Sequence, residues 1–209
     1  LRDDMAAEMK KGSKLSIAAA YFSIYAFEAL RKELSNIDEL RFIFTDPTFI
    51  QKENSKKEKR EFYIPKLNRE RGIYGTDFEV KLRNELNQKA IARECAAWVK
   101  NKAVFKSNVG NKDITDKFIL LDDKAYFPVN GFTTVDLGCE QGNNMGTNIA
   151  KVASPMSLTL LEQFEKLWQN NEELKDVTDK VISSISSAYN ENAPEFIYFV
   201  TLYNIFHEF

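Results

Sequence analysis

Apolar and polar positions alternate between strand-like and helical spacing along the first fifty residues. A continuous apolar stretch over residues 14–22, bounded by polar residues, is typical of a strand buried on both faces. Helical spacing follows over 24–34, and residues 40–44 predict a second strand. A short amphipathic helix, ended by Gly12, precedes them. Strand, helix and strand in this order predict a βαβ unit with parallel strands.

A long helix is predicted downstream by a capping box, in which Thr76 is the N-cap and Glu79 lies three residues later. Its predicted buried stripe continues to about Val99 and consists of residues four apart: Phe78, Leu82, Leu86 and Ala90. We expect this helix to pack along the strand over 15–22, which should be central in the sheet.

Three more strands are predicted over 103–106, 114–121 and 125–129, with a further strand over 147–153. Asp122 and Asp123 predict a tight turn that pairs two of these strands as a hairpin.

The remaining chain has helical spacing. Ser154 is the predicted cap of a helix with Pro155 at its first position, ending at Trp168. A second helix is predicted over 172–189, and a third begins at about Asn192. The predicted fold is therefore α/β, a mixed sheet with helices on both faces over residues 1–153, followed by a helical extension over 154–209.

The amino-acid composition favours a well-packed core and argues against disulfide bonds and zinc sites. Sixteen Phe, eight Tyr and two Trp favour a packed interior over disorder. The two cysteines, Cys95 and Cys139, form no C-x-x-C pair, and His207 is the one histidine, which argues against a disulfide framework or a zinc site. No apolar run reaches the length of a membrane span and no signal peptide is visible, so we expect a cytoplasmic protein. The chain opens at Leu1 without an initiator Met, and we expect it to be a piece of a longer protein.

Charge is unevenly distributed, although the net charge is only −2. Residues 51–117 carry 17 basic and 10 acidic residues, whereas residues 118–209 carry 5 basic and 13 acidic. The polar tract over 51–75 predicts a solvated loop or exposed helix inserted into the domain. The basic segment is typical of a nucleic-acid-binding face. Alternatively, two oppositely charged regions simply face solvent and each other.

The candidate phosphate contacts lie in that segment. On the long helix they are Lys81, Arg83, Lys89 and Arg93, and on the preceding loop they are Lys56, Lys57, Lys59 and Arg60. Arg83 and Arg93 could equally pair with acidic neighbours.

Glycine-rich phosphate loops are absent from the sequence, since it has neither G-x-x-x-x-G-K-[ST] nor G-x-G-x-x-G. The informative motif spans 115–122, where Thr115, Lys117 and Asp122 occupy the spacing of H-x-K-x-x-x-x-D. This stretch resembles the phospholipase D superfamily motif, with threonine in place of histidine. The resemblance implies that a histidine attacks phosphorus and that the lysine binds the phosphate oxygens. The alternative is a solvated lysine and a turn-forming aspartate.

The next segment matches the family only in part. Members carry a G-S-x-N-[FW]-T-like stretch, and here Phe132 and Thr133 match, whereas Gly131 occupies the place of the asparagine. We therefore expect weakened phosphate binding as well as a missing nucleophile.

Most of the chain is similar to the phospholipase D-like domain at the N-terminus of certain bacterial superfamily-two helicases of the Swi/Snf-like type. The similar stretches, in the family's order, are 20–22, 78–107, 164–168 and 193–206. The resemblance implies a downstream, ATP-hydrolysing helicase core, with ATP and magnesium as that core's cofactors and no cofactor in this chain. It also implies nucleic acid as a partner, DNA rather than RNA, and a possible homodimer.

Three hypotheses about function follow from these residues. The leading one is a non-catalytic accessory domain that binds nucleic acid or positions a partner for a helicase. The second is an active phosphodiesterase or nuclease, which would need a histidine that the motif does not contain. The third is a dimerisation module, in which two degenerate motifs face each other across a two-fold axis.

Overall fold

The computed structural model describes residues 1–46, 77–109, 114–140 and 148–187, with side chains of the long helix described from residue 88. The described elements, in chain order, are α1 (Arg2–Glu8), β1 (Lys14–Ala19), β2 (Tyr21–Phe22), α2 (Ile24–Ala29), α3 (Arg31–Leu34), β3 (Glu39–Phe44), α4 (Asp77–Lys102), β4 (Ala103–Asn108), β5 (Phe118–Leu121), β6 (Lys124–Phe127), β7 (Gly131–Phe132), β8 (Ala150–Val152), α5 (Met156–Gln169), β9 (Leu174–Asp176) and α6 (Thr178–Ser187).

A mixed sheet organises these elements. Its strand order among the described residues is β8-β6-β5-β1-β3-β4-β9, with β1 in the centre. The neighbours β1, β3 and β4 are parallel, and the outer pairings are antiparallel. A small separate sheet pairs β2 with β7 in parallel. The predicted α/β class, the parallel β1–β3 pair and the β5–β6 hairpin are confirmed.

Alternate residues of the central strands enter two apolar cores on opposite faces of the sheet. Leu15 and Ile17 of β1 face the larger core, which α1, α2, α4 and α6 cover. Ala18 of the same strand faces the smaller core, where Phe164 of α5 packs. Because strand side chains alternate between faces, an almost continuous apolar run is required for a strand covered on both sides. Helices therefore cover both faces, as predicted.

Several predicted boundaries were wrong at the level of single elements. The predicted strand over 14–22 breaks after Ala19, because Tyr21 and Phe22 leave the large sheet to pair with residues 131–132. The predicted strand over 114–121 is regular only from Phe118. The helix predicted over 24–34 is two shorter helices that meet at Leu30. Apolar spacing did not reveal these breaks, because the strand break depends on pairing with residues 131–132, which are distant in sequence.

The long helix was predicted correctly as an element, and its predicted stripe is tested only near its end, because the side chains of Phe78, Leu82 and Leu86 lie outside the described residues. Val99 is buried, as predicted. Ala90 is exposed, whereas the buried residues of its described part are Ile91, Ala92, Cys95, Ala96 and Val99. The helix packs chiefly against α6 and α2 rather than along β1. The packing of α6 and α2 determines which face of α4 is buried. The spacing of apolar residues within α4 does not reveal these neighbours. The predicted cap Thr76 lies outside the described residues.

The region after residue 153 is built into the same domain as far as it is described. The helix predicted over 172–189 is instead the strand β9, paired with β4, followed by α6. Leu174 enters the smaller core and Val181 the larger one. Ser154 does not cap α5, which begins at Met156 without a side-chain cap. Residues 188–209, including the predicted last helix, lie outside the described residues.

Candidate functional site

The candidate site lies at the edge of the sheet where β1, β3 and β4 end. Parallel strands bring their carboxyl ends to one edge, and ligands of open α/β sheets bind outside that edge. Because β5 runs antiparallel to β1, its first residue lies at the same edge. Lys117 immediately precedes Phe118, the first residue of β5. The topology therefore places the lysine of the predicted motif at this edge, which we call the carboxyl edge.

Lys117 is partly buried and lies beside Asn130. Its Nζ atom is 3.5 Å from the Oδ1 atom of Asn130, and its carbonyl oxygen accepts a hydrogen bond of 3.1 Å from the amide of Val129. The carbonyl oxygen of Asn130 in turn accepts a hydrogen bond of 3.1 Å from the amide of Ala20. A 3.5 Å contact is at the long limit for a hydrogen bond, so the ammonium group keeps donors for an anion.

Asn130 was missed by the sequence analysis. The motif comparison placed Gly131 where the family has asparagine, yet the asparagine one position earlier makes the contact with Lys117. An asparagine directly next to the expected position was the signal that could have found it. Its exposed amide group offers donors as well as the acceptor that faces the lysine.

Thr115 lies at the same edge but not on the strand. It is exposed and precedes β5 by three residues, in an irregular segment. Thr115 and Lys117 both fall in the part of the predicted strand over 114–121 that is irregular, so neither residue is within β5. A threonine hydroxyl is protonated at neutral pH unless a base lies next to it. The chain's one histidine, His207, lies outside the described residues.

Asp122 is remote from Lys117 and has a structural role. The strand between them separates the two residues by about 16 Å, at roughly 3.3 Å per residue. Asp122 has a φ of 51°, and its Oδ1 atom accepts a hydrogen bond of 2.8 Å from the amide of Lys14. Its own amide donates to the carbonyl oxygen of Lys14 at 3.1 Å. These bonds join the β5–β6 turn to the start of β1 and support the interpretation of a turn-forming aspartate.

A second acidic residue, Asp136, lies close to the carboxyl edge and was also missed. Its Oδ2 atom accepts a hydrogen bond of 2.5 Å from the hydroxyl of Thr133, whose oxygen accepts from the amide of Asp136 at 3.1 Å. Burial raises the pKa of the Asp136 carboxyl, against the opposite effect of its hydrogen bonds to Thr133 and to the backbone of Gly131. This reciprocal pair closes the turn after β7, and the spacing T-x-x-D is its sequence signature.

Space around Gly131 is tight. A Cβ atom at Gly131 would lie 3.0 Å from Oδ2 of Asp136, and 3.1 Å from both Cγ2 of Thr133 and Cβ of Tyr21. The glycine therefore lets β7 approach β2 and the turn at the same time. Because Gly131 follows Asn130, this packing also positions the asparagine beside Lys117.

Buried polar residues at the ends of β3 and β4 bond to one another. The Nδ2 atom of Asn108 donates to the carbonyl oxygen of Thr45 at 3.2 Å, and the amide of Thr45 donates to the carbonyl oxygen of Ala19 at 3.1 Å. Burial of Thr45, Ser107 and Asn108 at this edge is therefore explained by satisfied hydrogen bonds between strand ends.

The helix α4 extends past the carboxyl edge. Its 26 residues span about 39 Å at 1.5 Å per residue, about twice the length of the strand β4 that follows it. Its C-terminal end is at the opposite edge, where the Nζ atom of Lys102 donates to the carbonyl oxygen of Ile37 at 2.6 Å. The N-terminal half of the helix therefore projects beyond the edge where Lys117 lies.

Three of the predicted phosphate contacts, Lys81, Arg83 and Lys89, are on that half of α4, and Arg93 is on its C-terminal half. Arg93 is exposed and Lys89 is partly buried. Lys81 and Arg83 are within the described helix backbone, but their side chains lie outside the described residues, as do Lys56, Lys57, Lys59 and Arg60. The backbone positions of Lys81, Arg83 and Lys89 thus lie toward the same end of the domain as Lys117, without a described contact between them.

No group of His, Cys, Asp and Glu side chains that could hold a metal ion is found in the part of the chain that the structure describes, and of its two free cysteines Cys139 is exposed. Cys95 is buried, which raises the pKa of its thiol to about 12 and makes it unreactive at neutral pH. Among the described helices, none has the length and apolar character needed to cross a membrane.

Comparison with known proteins assigns no family to this chain. No protein-family model matches it, and no curated protein matches it. Its likeness to the phospholipase D superfamily therefore stays a prediction from its residues.

Proposed function

We propose that this chain is a cytoplasmic, non-catalytic phospholipase D-like accessory domain of an ATP-dependent helicase, and that it binds nucleic acid at the carboxyl edge of its sheet. The observation that carries the proposal is the position of Lys117. A partly buried lysine beside an exposed asparagine, outside the ends of three parallel strands, is suited to bind a phosphate oxygen.

The long helix supports the same proposal. The N-terminal half of α4, which carries Lys81, Arg83 and Lys89, extends past the edge where Lys117 lies, and Arg93 follows one helical turn later. Cations on one side of a domain attract the phosphate backbone without regard to base sequence. DNA is the proposed partner, with RNA as a comparison in the test.

The lack of catalysis rests on chemistry at the motif. Phosphohistidine formation needs one imidazole to attack phosphorus and a second group to protonate the leaving oxygen. The position expected for the nucleophile holds Thr115, which is exposed and has no histidine near it in sequence. Magnesium and ATP would serve a downstream helicase core.

The test is the salt dependence of DNA binding. Fluorescence anisotropy with labelled single-stranded DNA, duplex DNA and RNA would be measured between about 50 and 200 mM salt. We expect affinity to fall steeply over this range. Lys117→Ala should weaken binding to all sequences about equally and lower the salt slope by about 1. The double variant Lys89→Ala/Arg93→Ala should lower the slope of log affinity against log salt concentration further.

Two exposed lysines away from the carboxyl edge serve as matched controls. Lys11 is exposed at the amino end of β1, at the opposite edge, and Lys100 is exposed at the other end of α4. Neither Lys11→Ala nor Lys100→Ala should change affinity by more than about twofold, since long-range effects of exposed charges are screened. Absent binding at low salt, or equal loss in controls and site variants, would contradict the proposal. A salt-independent dimer without DNA binding would favour the dimerisation module.

A further inference from the structure

Tyr21 is the most exposed large aromatic residue among those described. Its side chain is 58% exposed, whereas its neighbour Phe22 is buried, with ring centroids 5.1 Å from Phe105 and 5.8 Å from Phe132. Strand alternation accounts for the contrast, because Phe22 faces the larger core and Tyr21 faces solvent. The packing of β2 therefore depends on Phe22 and makes no use of the Tyr21 ring.

The backbone that carries this ring is held firmly. Tyr21 pairs with Gly131 in the β2–β7 sheet, and the position of a Gly131 Cβ would be only 3.1 Å from Cβ of Tyr21. On either side, the amide of Ala20 donates to Asn130 at 3.1 Å and the amide of Ser23 donates to Phe132 at 2.9 Å. An exposed ring on a fixed backbone offers a flat surface at a low entropic cost.

The ring and the lysine of the candidate site are neighbours through one segment. Asn130 contacts Lys117 through its side chain, and the next residue, Gly131, is the strand partner of Tyr21. The backbones of Tyr21 and Lys117 thus flank the same three-residue segment, 129–131, at the carboxyl edge. An aromatic platform beside a cation is the arrangement that binds single-stranded nucleic acid, since each base presents a flat face next to a charged phosphate.

Acidic neighbours argue for stacking in addition to charge. Asp116 is exposed next to Lys117, and Asp136 is partly buried behind Gly131. These carboxylates repel phosphates and limit how many the edge can bind. Stacking on a ring does not require net positive charge, so Tyr21 would contribute affinity that Lys117 alone cannot supply.

We propose that Tyr21 is a stacking platform for an unpaired base of single-stranded nucleic acid, whose adjoining phosphate is bound by Lys117. This inference rests on the proposed function. It further states that the nucleic acid is single-stranded and that Tyr21 selects for unpaired bases. In a duplex the faces of the bases are already stacked on each other, so an exposed ring gains little from it.

The test compares the chain's affinity for two single-stranded oligonucleotides of equal length and charge, one normal and one abasic. Fluorescence anisotropy would be measured at low salt for wild type, Tyr21→Phe, Tyr21→Ala and Lys117→Ala. Met156→Ala is the control for removing an exposed apolar side chain, since Met156 is 59% exposed and lies on α5. Circular dichroism melting would verify that each variant is folded.

We expect wild type to prefer the normal oligonucleotide over the abasic one by roughly fivefold or more, the usual effect of one stacked base. Tyr21→Ala should bind both with the affinity that wild type has for the abasic strand. Tyr21→Phe and Met156→Ala should match wild type. Lys117→Ala should lose affinity for both strands equally while it keeps the preference for bases.

Other results would separate the stacking role of Tyr21 from the proposed nucleic-acid binding. If wild type binds both strands equally and loses affinity in Lys117→Ala, the stacking role is wrong and the proposed function stands. If wild type binds no oligonucleotide at low salt, both are wrong. If Tyr21→Ala does not fold, Tyr21→Thr, which keeps a good strand former without the ring, takes its place in the same comparison.

Discussion

The Oδ1 atom of Asp122 accepts a hydrogen bond of 2.8 Å from the backbone amide of Lys14, and so the turn between β5 and β6 is joined to the first residue of the central strand. The same aspartate has a φ of 51°, in the left-handed region that asparagine and aspartate tolerate better than most residues. The aspartate of the predicted motif therefore stabilises the sheet at the edge opposite to Lys117.

This role predicts that Asp122→Ala lowers the free energy of unfolding by about 1–2 kcal/mol, from the lost hydrogen bond and the less favourable backbone conformation. Asp122→Asn should change it little, since asparagine keeps both an acceptor and the tolerance for this φ. Urea denaturation would measure both. Asp123→Ala, in the same turn, is the control and should remain within about 0.5 kcal/mol. Unchanged stability of Asp122→Ala would refute the structural role.

Gly131 should tolerate no side chain. A Cβ atom there would lie 3.0 Å from Asp136 and 3.1 Å from Tyr21, so Gly131→Ala must displace one of them. We expect a loss of about 1–3 kcal/mol in unfolding free energy, as for other overpacked sites. Gly138→Asn is the contrasting control, because Gly138 has a φ of +77° with nothing within 4 Å, and asparagine tolerates that conformation. Equal stability of Gly131→Ala and wild type, by urea denaturation, would contradict the packing described.

Acid should weaken the attachment of α1 to the sheet. The Asp4 carboxylate accepts hydrogen bonds from Lys151 at 2.9 Å and from the hydroxyl of Tyr126 at 2.7 Å, and these hold its pKa below the usual 3.8. Lys151 and Lys124 likewise hold the pKa of Glu8 below 4.5. A depressed pKa in the folded state contributes stability that is present above the ordinary pKa and is lost as pH falls through the lower value.

Melting temperatures measured from pH 6 down to about pH 3 should therefore decrease most below pH 4.5, where the unfolded-state carboxyls begin to bind protons. Asp4→Asn should show a smaller decrease over the same range, because one of the coupled carboxyls has been removed. The prediction fails if wild type and Asp4→Asn have parallel curves.

A polar cluster on the other face of the sheet should stabilise the packing of α5. Arg41 of β3 donates to both carboxylate oxygens of Glu165, at 2.6 and 3.1 Å, and its guanidinium lies 5.1 Å from the ring centroid of Phe164. We expect Glu165→Ala to cost about 1–2 kcal/mol, since it leaves a largely buried guanidinium without its partner. Glu162→Ala, on the same helix and exposed, is the control. Denaturant melts with equal midpoints for both variants would contradict the expectation.

No phosphodiester cleavage is expected from this chain. Wild type, Thr115→His and Lys117→Ala would be incubated with a fluorogenic phosphodiester and with labelled DNA, and all three should remain at background. Thr115→His should not restore turnover, because residue 115 is exposed outside the strand and has no described second imidazole to protonate the leaving oxygen. Turnover in wild type that is lost in Lys117→Ala would make the domain an enzyme.

Parts of the candidate site could be predicted because they depend on local rules. Lys117 was proposed as a site residue from its spacing to Asp122. The hairpin of β5 and β6 was predicted from two consecutive aspartates. Tyr21 could not be assigned to the site, because its place at this edge depends on the pairing of β2 with β7, which are more than a hundred residues apart.

The sequence by itself determined the α/β class, the central apolar strand, the long helix and the hairpin, because hydrophobic periodicity and turn residues act over a few positions. Only the tertiary structure decided which face of α4 is buried, and that residues 174–176 are an edge strand instead of a helix. It also decided that Lys117 and Asp122 lie at opposite ends of β5 with different roles. These features depend on contacts between residues distant in sequence. Ordinary helix and strand preferences differ by only a few tenths of a kcal/mol per residue, and the free energy of burying a side chain against a distant partner is larger.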